Sequence, residues 1–191
     1  MNAQLYKNIA NSTAHRASRD ENAKIILDDQ SLLADLLQFI FDIQDKNHHK
    51  ACWILELVLE QDIEWLSPFL DVFCEKLPQF SHESAVRSIS KICMFAVVEQ
   101  QRKIRFGGNF LTEKQQQQIA ESCFDWLIGN FKVATKAYAA RALFVSGKTS
   151  DWIYPELSIV LENDFGKHSA AYKAVAREIL KVLSNKKKPL F

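Results

Sequence analysis

The chain has 191 residues, 48% of them hydrophobic, with 24 basic and 23 acidic side chains. That length suits one domain with a sizeable core, and five Gly and four Pro exclude long flexible linkers. The net charge of +1 names no partner, no apolar run approaches the ~18 residues of a membrane span, and residues 1–20 hold no apolar secretion signal, so a soluble, cytoplasmic protein is expected.

Apolar residues recur at helical spacing along nearly the whole chain. The pattern predicts helices near 4–11, 20–28, 31–44, 47–60, 68–77, 82–100, 112–128, 132–146, 155–163 and 167–184. Residues 1–44 read as N-terminal capping helices. In HHKACWILELVLE (48–60), Ala51, Ile54, Leu55, Val58 and Leu59 form one helix face. EWLSPFL (64–70) puts Pro68 at a helix start, where a missing N–H costs nothing, with Ser67 as N-cap. RKIRFGGNFLT (102–112) is the one roomy loop, and Arg102, Lys103 and Arg105 beside Gly107 and Gly108 make it basic and mobile. It matches no phosphate-binding glycine motif.

DWIYPEL (151–157) echoes the earlier motif, with Pro155 at a helix start and Glu156 in its first turn. Trp65 and Trp152, three residues before each Pro, are expected to fold under the helix starts and fill a gap between helices. Tyr172, Val175, Ala176, Ile179 and Leu183 form the face of the last helix. In the tail, SNKKKPLF (184–191), three lysines suit a helix C-terminus and Pro189 stops it. No period-two strand and no hairpin dipeptide occurs, so the fold class is all-α.

Sliding residues 45–98 onto 131–184 produces matches at one offset. Lys46, Lys50, Ala51, His82, Arg87 and Lys91 fall on Lys132, Lys136, Ala137, His168, Lys173 and Arg177, each 86 positions on. Trp65, Pro68 and Leu70 fall on Trp152, Pro155 and Leu157 at 87. Half of this period is within the ~40–47 residues of a HEAT or armadillo repeat. The two segments therefore read as duplicated helix-pair units of a single domain. Paired helices with Pro at a helix start and a basic residue inside the next helix resemble HEAT-type repeats over roughly 30–184, which implies an α-α superhelix. The whole chain also resembles a family of short bacterial proteins, some labelled adenylosuccinate lyase. That label implies a lyase activity, although the Ser-, Met-, Pro-, Lys- and Asn-rich signature loop of that enzyme does not occur in this chain.

The most informative polar feature is the set of basic pairs Lys46/Lys50, Arg87/Lys91, Lys132/Lys136 and Lys173/Arg177, all at i, i+4. Like charges so spaced weaken an isolated helix. Two readings follow: a ladder of cations along one binding face, or cations paired with acids such as Asp42, Asp45, Glu83, Glu121 and Asp125 on neighbouring helices. Residues 1–100 hold nine Lys/Arg and fifteen Asp/Glu, net −6, and residues 101–191 hold fifteen and eight, net +7. That asymmetry fits a polar binding surface in the second half.

Other chemistry has thinner support. His48, His49 and Cys52 place a His and a Cys at i, i+4 on a helix, but zinc wants three or four ligands in a tighter signature and none is close in sequence. Cys52, Cys74, Cys93 and Cys123 sit in apolar helical patterns and read as reduced core thiols. No nucleophile motif, cofactor loop or metal set is present, so no catalytic, cofactor or metal residue is assigned. FDWL (124–127) and the basic pairs resemble, at fold level, the DNA-alkylation-repeat glycosylases, which imply nucleic-acid binding through aromatic, acidic and basic residues. The expected function is a scaffold that binds a protein or peptide along one face. A nucleic-acid-binding module using the basic second half is the alternative, and a lyase the remote one.

Overall fold

The computed structural model describes residues 2–186, and all regular structure among them is helical. The α-helices are α1 (Ala3–Asn11), α2 (Arg16–Asp28), α3 (Leu33–Phe41), α4 (His48–Gln61), α5 (Leu70–Lys76), α6 (Glu83–Arg105), α7 (Glu113–Ile128), α8 (Val133–Ser146), α9 (Ile153–Asp164) and α10 (Ala170–Lys186). Short 3-10 turns occupy Gln30–Leu32, Ile63–Phe69 and Leu77–Gln79. No helix is long and apolar enough to cross a membrane among the described residues. Lys187, Lys188 and Pro189, assigned above to a helix stop, lie outside the described residues.

The helical period placed the elements well, and the departures have local causes. Asp62 accepts a hydrogen bond from the Glu64 amide at 2.9 Å and opens a 3-10 turn. Pro68 therefore sits inside that turn rather than at the start of α5, and Ser67 caps nothing. Pro155 is the third residue of α9, with Trp152 at the cap. Trp152 does not fold under the helix: it is 43% exposed and rests on Phe124, ring centroids 5.6 Å apart. Trp65 is half-buried against the core, as expected.

α6 runs five residues past its predicted end at 100. Arg102 and Lys103 lie on this last turn, three and four residues from Glu99, which pairs with both. The helix stops at Gly107, whose φ of +78° suits only a residue without Cβ. Its amide and that of Gly108 satisfy the carbonyls of Ile104 and Lys103 at 3.0 Å. The three basic residues of the expected loop, Arg102, Lys103 and Arg105, are thus on an ordered helix end.

α4, α6 and α8 form the middle of the molecule. α6 lies against both α4 and α8; α2 and α3 cover α4, and α7, α9 and α10 cover α8. α4 is buried on nearly every side, by Ala51, Cys52, Ile54, Leu55, Leu57, Val58 and Leu59, the signature of a core helix rather than a surface one. All four cysteines are free and buried. Burial pushes the Cys74 thiol up to about 12 and the Cys52 and Cys93 thiols well above their usual range, Cys93 being also hydrogen-bonded to Cys123. A thiol held protonated and out of solvent is inert. A water-soluble aryl disulfide reagent is therefore expected to label no cysteine in the folded protein at neutral pH, and all four in urea. Rapid labelling of the folded chain would show that this core opens.

Candidate functional site

The eight basic residues singled out by their spacing meet three different fates. Lys50 and Lys136 turn inward. Lys136 is 3% exposed and donates to the Leu127 carbonyl in the last turn of α7. Lys50 does the same to Ala10 in the last turn of α1. The final carbonyls of a helix lack intrahelical partners and carry its negative partial charge, so an ammonium there is favoured twice over. Burial pulls the Lys136 ammonium down from its usual range, with Asp164 opposing.

Arg87 and Lys91 reach across to α4. Glu56 is 2% exposed in the middle of that apolar helix. It accepts from Arg87 Nη1 at 3.0 Å, from Lys91 Nζ at 3.1 Å and from the Ser88 hydroxyl. Lys91 also reaches Glu60 at 3.1 Å. Burial pulls the Lys91 ammonium down, and the Glu60 and Glu56 carboxylates overcome it, so its net shift is upward. Here the paired reading of the basic residues holds, although Glu56 and Glu60 were not among the acids expected to do the pairing.

On α10 the arrangement differs. Eighty-six positions beyond Glu56 and Glu60 stand Ala142 and Ser146. Lys173, half-buried, and Lys181, exposed, have no ion-pair or hydrogen-bond partner for their side chains among the described residues. Arg177 is exposed and lies 5.6 Å from the Phe165 ring centroid, within reach of a cation–π contact. Of the remaining two, Lys132 pairs with Glu83 at 3.3 Å and Lys46 is exposed without a partner among the described residues. Of the eight, those without an acid or carbonyl partner are thus Lys173 and Arg177 on α10, with Lys46 apart from them.

Arg177 and Lys181 line a groove of about 530 Å³ between α9 and α10, together with Phe165, Leu180, Ser184 and a single acid, Glu162. Ile159 and Val182, on the same two helices, are 52% and 39% exposed. The surface therefore combines apolar area with cations that form no ion pair among the described residues.

A larger cleft of about 600 Å³ opens between the end of α6, the start of α7 and the α8–α9 turn. Its wall is held by Gln100, 2% exposed, which accepts from the Phe110 and Leu111 amides at 2.6 and 2.8 Å and donates to Asn109 at 2.9 Å. A reciprocal Thr112–Gln115 capping box fixes the start of α7. The lining is mostly amide, hydroxyl and aliphatic, and Glu113 is its one ionisable group. It offers no pair of groups for acid–base exchange.

The other sequence candidates are dispersed. Arg102 is bound to Glu99 at 2.6 Å and Lys103 pairs with Glu64, which ends their availability as a phosphate loop. Cys52 points into the core, away from any role with His48 and His49, and those two histidines instead meet His82. No cluster of three or more His, Cys, Asp or Glu is set to hold a metal among the described residues. In FDWL, Trp126 is 3% exposed and belongs to the core, while Phe124 supports Trp152. No family model, curated protein or solved structure matches this chain.

The contrast between the two basic pairs is measurable. Lys91→Ala takes a donor from the buried Glu56 carboxylate and is expected to cost about 3–5 kcal/mol in urea unfolding. Lys173→Ala, removing a solvated cation, is expected to stay within about 0.5 kcal/mol of wild type. Equal effects would mean that the α10 pair has a buried partner after all.

Proposed function

We propose that this chain is a non-enzymatic, HEAT-like helical scaffold that binds an acidic, amphipathic segment of a partner protein along α10. The observation that carries the reading is the α9–α10 groove, where Arg177 and Lys181 stand beside Phe165 and Leu180 with Glu162 as the lone acid. Such a surface matches a helix with apolar anchors at i, i+3 and i+4 and carboxylates along its edges. Two further features support it. α4, α6, α8 and α10 pack in chain order, each on the next, as stacked repeats do, and repeat arrays serve as binding surfaces. The cleft between α6, α7 and the α8–α9 turn contains one ionisable side chain, which favours binding over catalysis.

The test uses two labelled helical peptides in fluorescence anisotropy, one built of Leu and Glu, the other of Leu and Lys. The Leu/Glu peptide is expected to bind wild type and to weaken steeply with salt. The double variant Arg177→Glu, Lys181→Glu, with unfolding midpoint unchanged, should lose about tenfold or more in affinity. Equal binding of both peptides, or no loss in the variant, removes the proposal. A labelled single-stranded oligonucleotide, run in parallel, identifies the other class of partner: if it binds in preference to the peptide and depends on the same two residues, the surface reads phosphate instead.

A further inference from the structure

Three histidines meet where α4 and α6 begin. His48 and His49 are the first two residues of α4, and His82 is the N-cap of α6. The rings of His49 and His82 are nearly parallel, 18° apart with centroids at 4.3 Å. His48 lies 5.7 Å from His82 and 6.1 Å from His49, each in edge-on contact. Phe80 stacks on His48 and Trp53 meets His49 edge-on. His48 is 5% exposed, and Nδ1 of both His48 and His49 is buried without a hydrogen-bond partner.

This setting accepts imidazole and resists imidazolium. Burial removes the solvation of a charge, the starts of two helices supply positive partial charge, and each ring's nearest titratable neighbour is another histidine. The charged and titratable groups that face the pair come from every side. Asp42 and Asp45 approach His48 from the turn before α4, and His82 approaches from α6. His49 faces His82, His48, Lys50 and the backbone of Lys46.

The cluster adjoins the polar link between α1 and α4. The Tyr6 hydroxyl, on α1, donates to Asp45 Oδ2 at 2.6 Å and accepts from Asn47 Nδ2 at 3.3 Å. The other Asp45 oxygen accepts from the Asn47 amide at 2.6 Å, and the Asp45 carbonyl accepts from the His48 amide at 3.1 Å. Apart from this network, α1 is held by the burial of Leu5 and Ile9, by Asn2 on Asp35 and by Lys50 on Ala10.

We propose that the His48–His49–His82 cluster and the Tyr6–Asp45 hydrogen bond together form a pH-operated latch for α1. Proton uptake at His48 creates a cation that Asp42 and Asp45 face as counter-charges among the described residues. Asp45 turns to the imidazolium, gives up Tyr6, and α1 loosens. The sign follows from burial first and His82 second, which hold His48 and His49 below their ordinary 6.5 while the latch is closed. The open state takes up protons more readily. The latch is therefore fully closed above 6.5 and weakens as pH falls below it.

Amide hydrogen exchange of the whole chain, read by mass spectrometry at about pH 7.5 and about pH 5.5 and corrected for intrinsic exchange, tests this. Residues 3–11 are expected to lose protection about tenfold or more at the lower pH, while α8 keeps its protection. His48→Gln, which keeps a neutral polar side chain, should leave α1 protected at both pH values. Tyr6→Phe should loosen α1 at both. His82→Gln, the control should His48→Gln fold poorly, removes the facing histidine and should move the release midpoint to higher pH. Unchanged protection of 3–11 in wild type, a full pH response in His48→Gln, or an unmoved midpoint in His82→Gln overturns the latch.

Discussion

Glu56 sits 2% exposed on a helix otherwise filled by Ile54, Leu55, Leu57, Val58 and Leu59, and a carboxylate in that setting must be matched or neutralised. Taking it out of water costs several kcal/mol, and only close, well-directed donors offset that. α6 supplies them from one face as Arg87, Ser88 and Lys91. The requirement fixes more than one contact. Rotating α6 by a single residue swings its donors by about 100°, and sliding it by one residue moves them about 1.5 Å. Apolar packing tolerates such shifts far better than a buried ion does. The polar match therefore sets the register of α6 on α4, and α8 packs on the α6 surface so fixed.

Between α8 and α10 the register has other sources. Tyr172, Ala176, Ile179 and Leu183 are buried on α10, and Ala142 and Leu143 face inward on α8. No carboxylate is buried there, because Ala142 and Ser146 stand where Glu56 and Glu60 do in the first pair, and the Arg141–Glu178 contact at 3.7 Å is exposed. Lys136 meets its requirement locally, at the end of α7. The cations of α10 are then free of structural duty, and their charge is available to whatever approaches the groove beside them.

The helices were legible because apolar spacing is a direct record of which face is buried, and one buried helix against another leaves that record along most of the chain. The stretch at 63–69 was misread because Pro68 signals a helix start in isolation, whereas the Asp62 side chain had already begun a tighter turn. The fate of the basic pairs was half legible. An acid inside WILELVLE, on a helix with no polar face, was a signal that Glu56 needed cations, and the same comparison that aligned the lysines aligned Ala142 with Glu56. Lys50 and Lys136 could not be read that way. Their partners are backbone carbonyls, which every residue has, so no pattern of side chains marks them. The histidine cluster was hidden for a related reason: His48 and His82 are 34 positions apart, and only the packing of α4 on α6 brings them together.

Two helix pairs of the same pattern can diverge cheaply in only one direction. Removing Arg87 or Lys91 from the first would leave a carboxylate buried without its donors, a penalty of several kcal/mol. Having Ala142 and Ser146 in place of acids in the second leaves cations whose long side chains reach solvent, where an unpaired ammonium or guanidinium costs almost nothing. A buried acid ringed by snorkelling bases thus leaves basic surface where the acid is absent, and acidic surface hardly ever. Part of the excess of positive charge in residues 101–191 is carried by Lys173, Arg177 and Lys181 on α10, the last two beside an apolar groove.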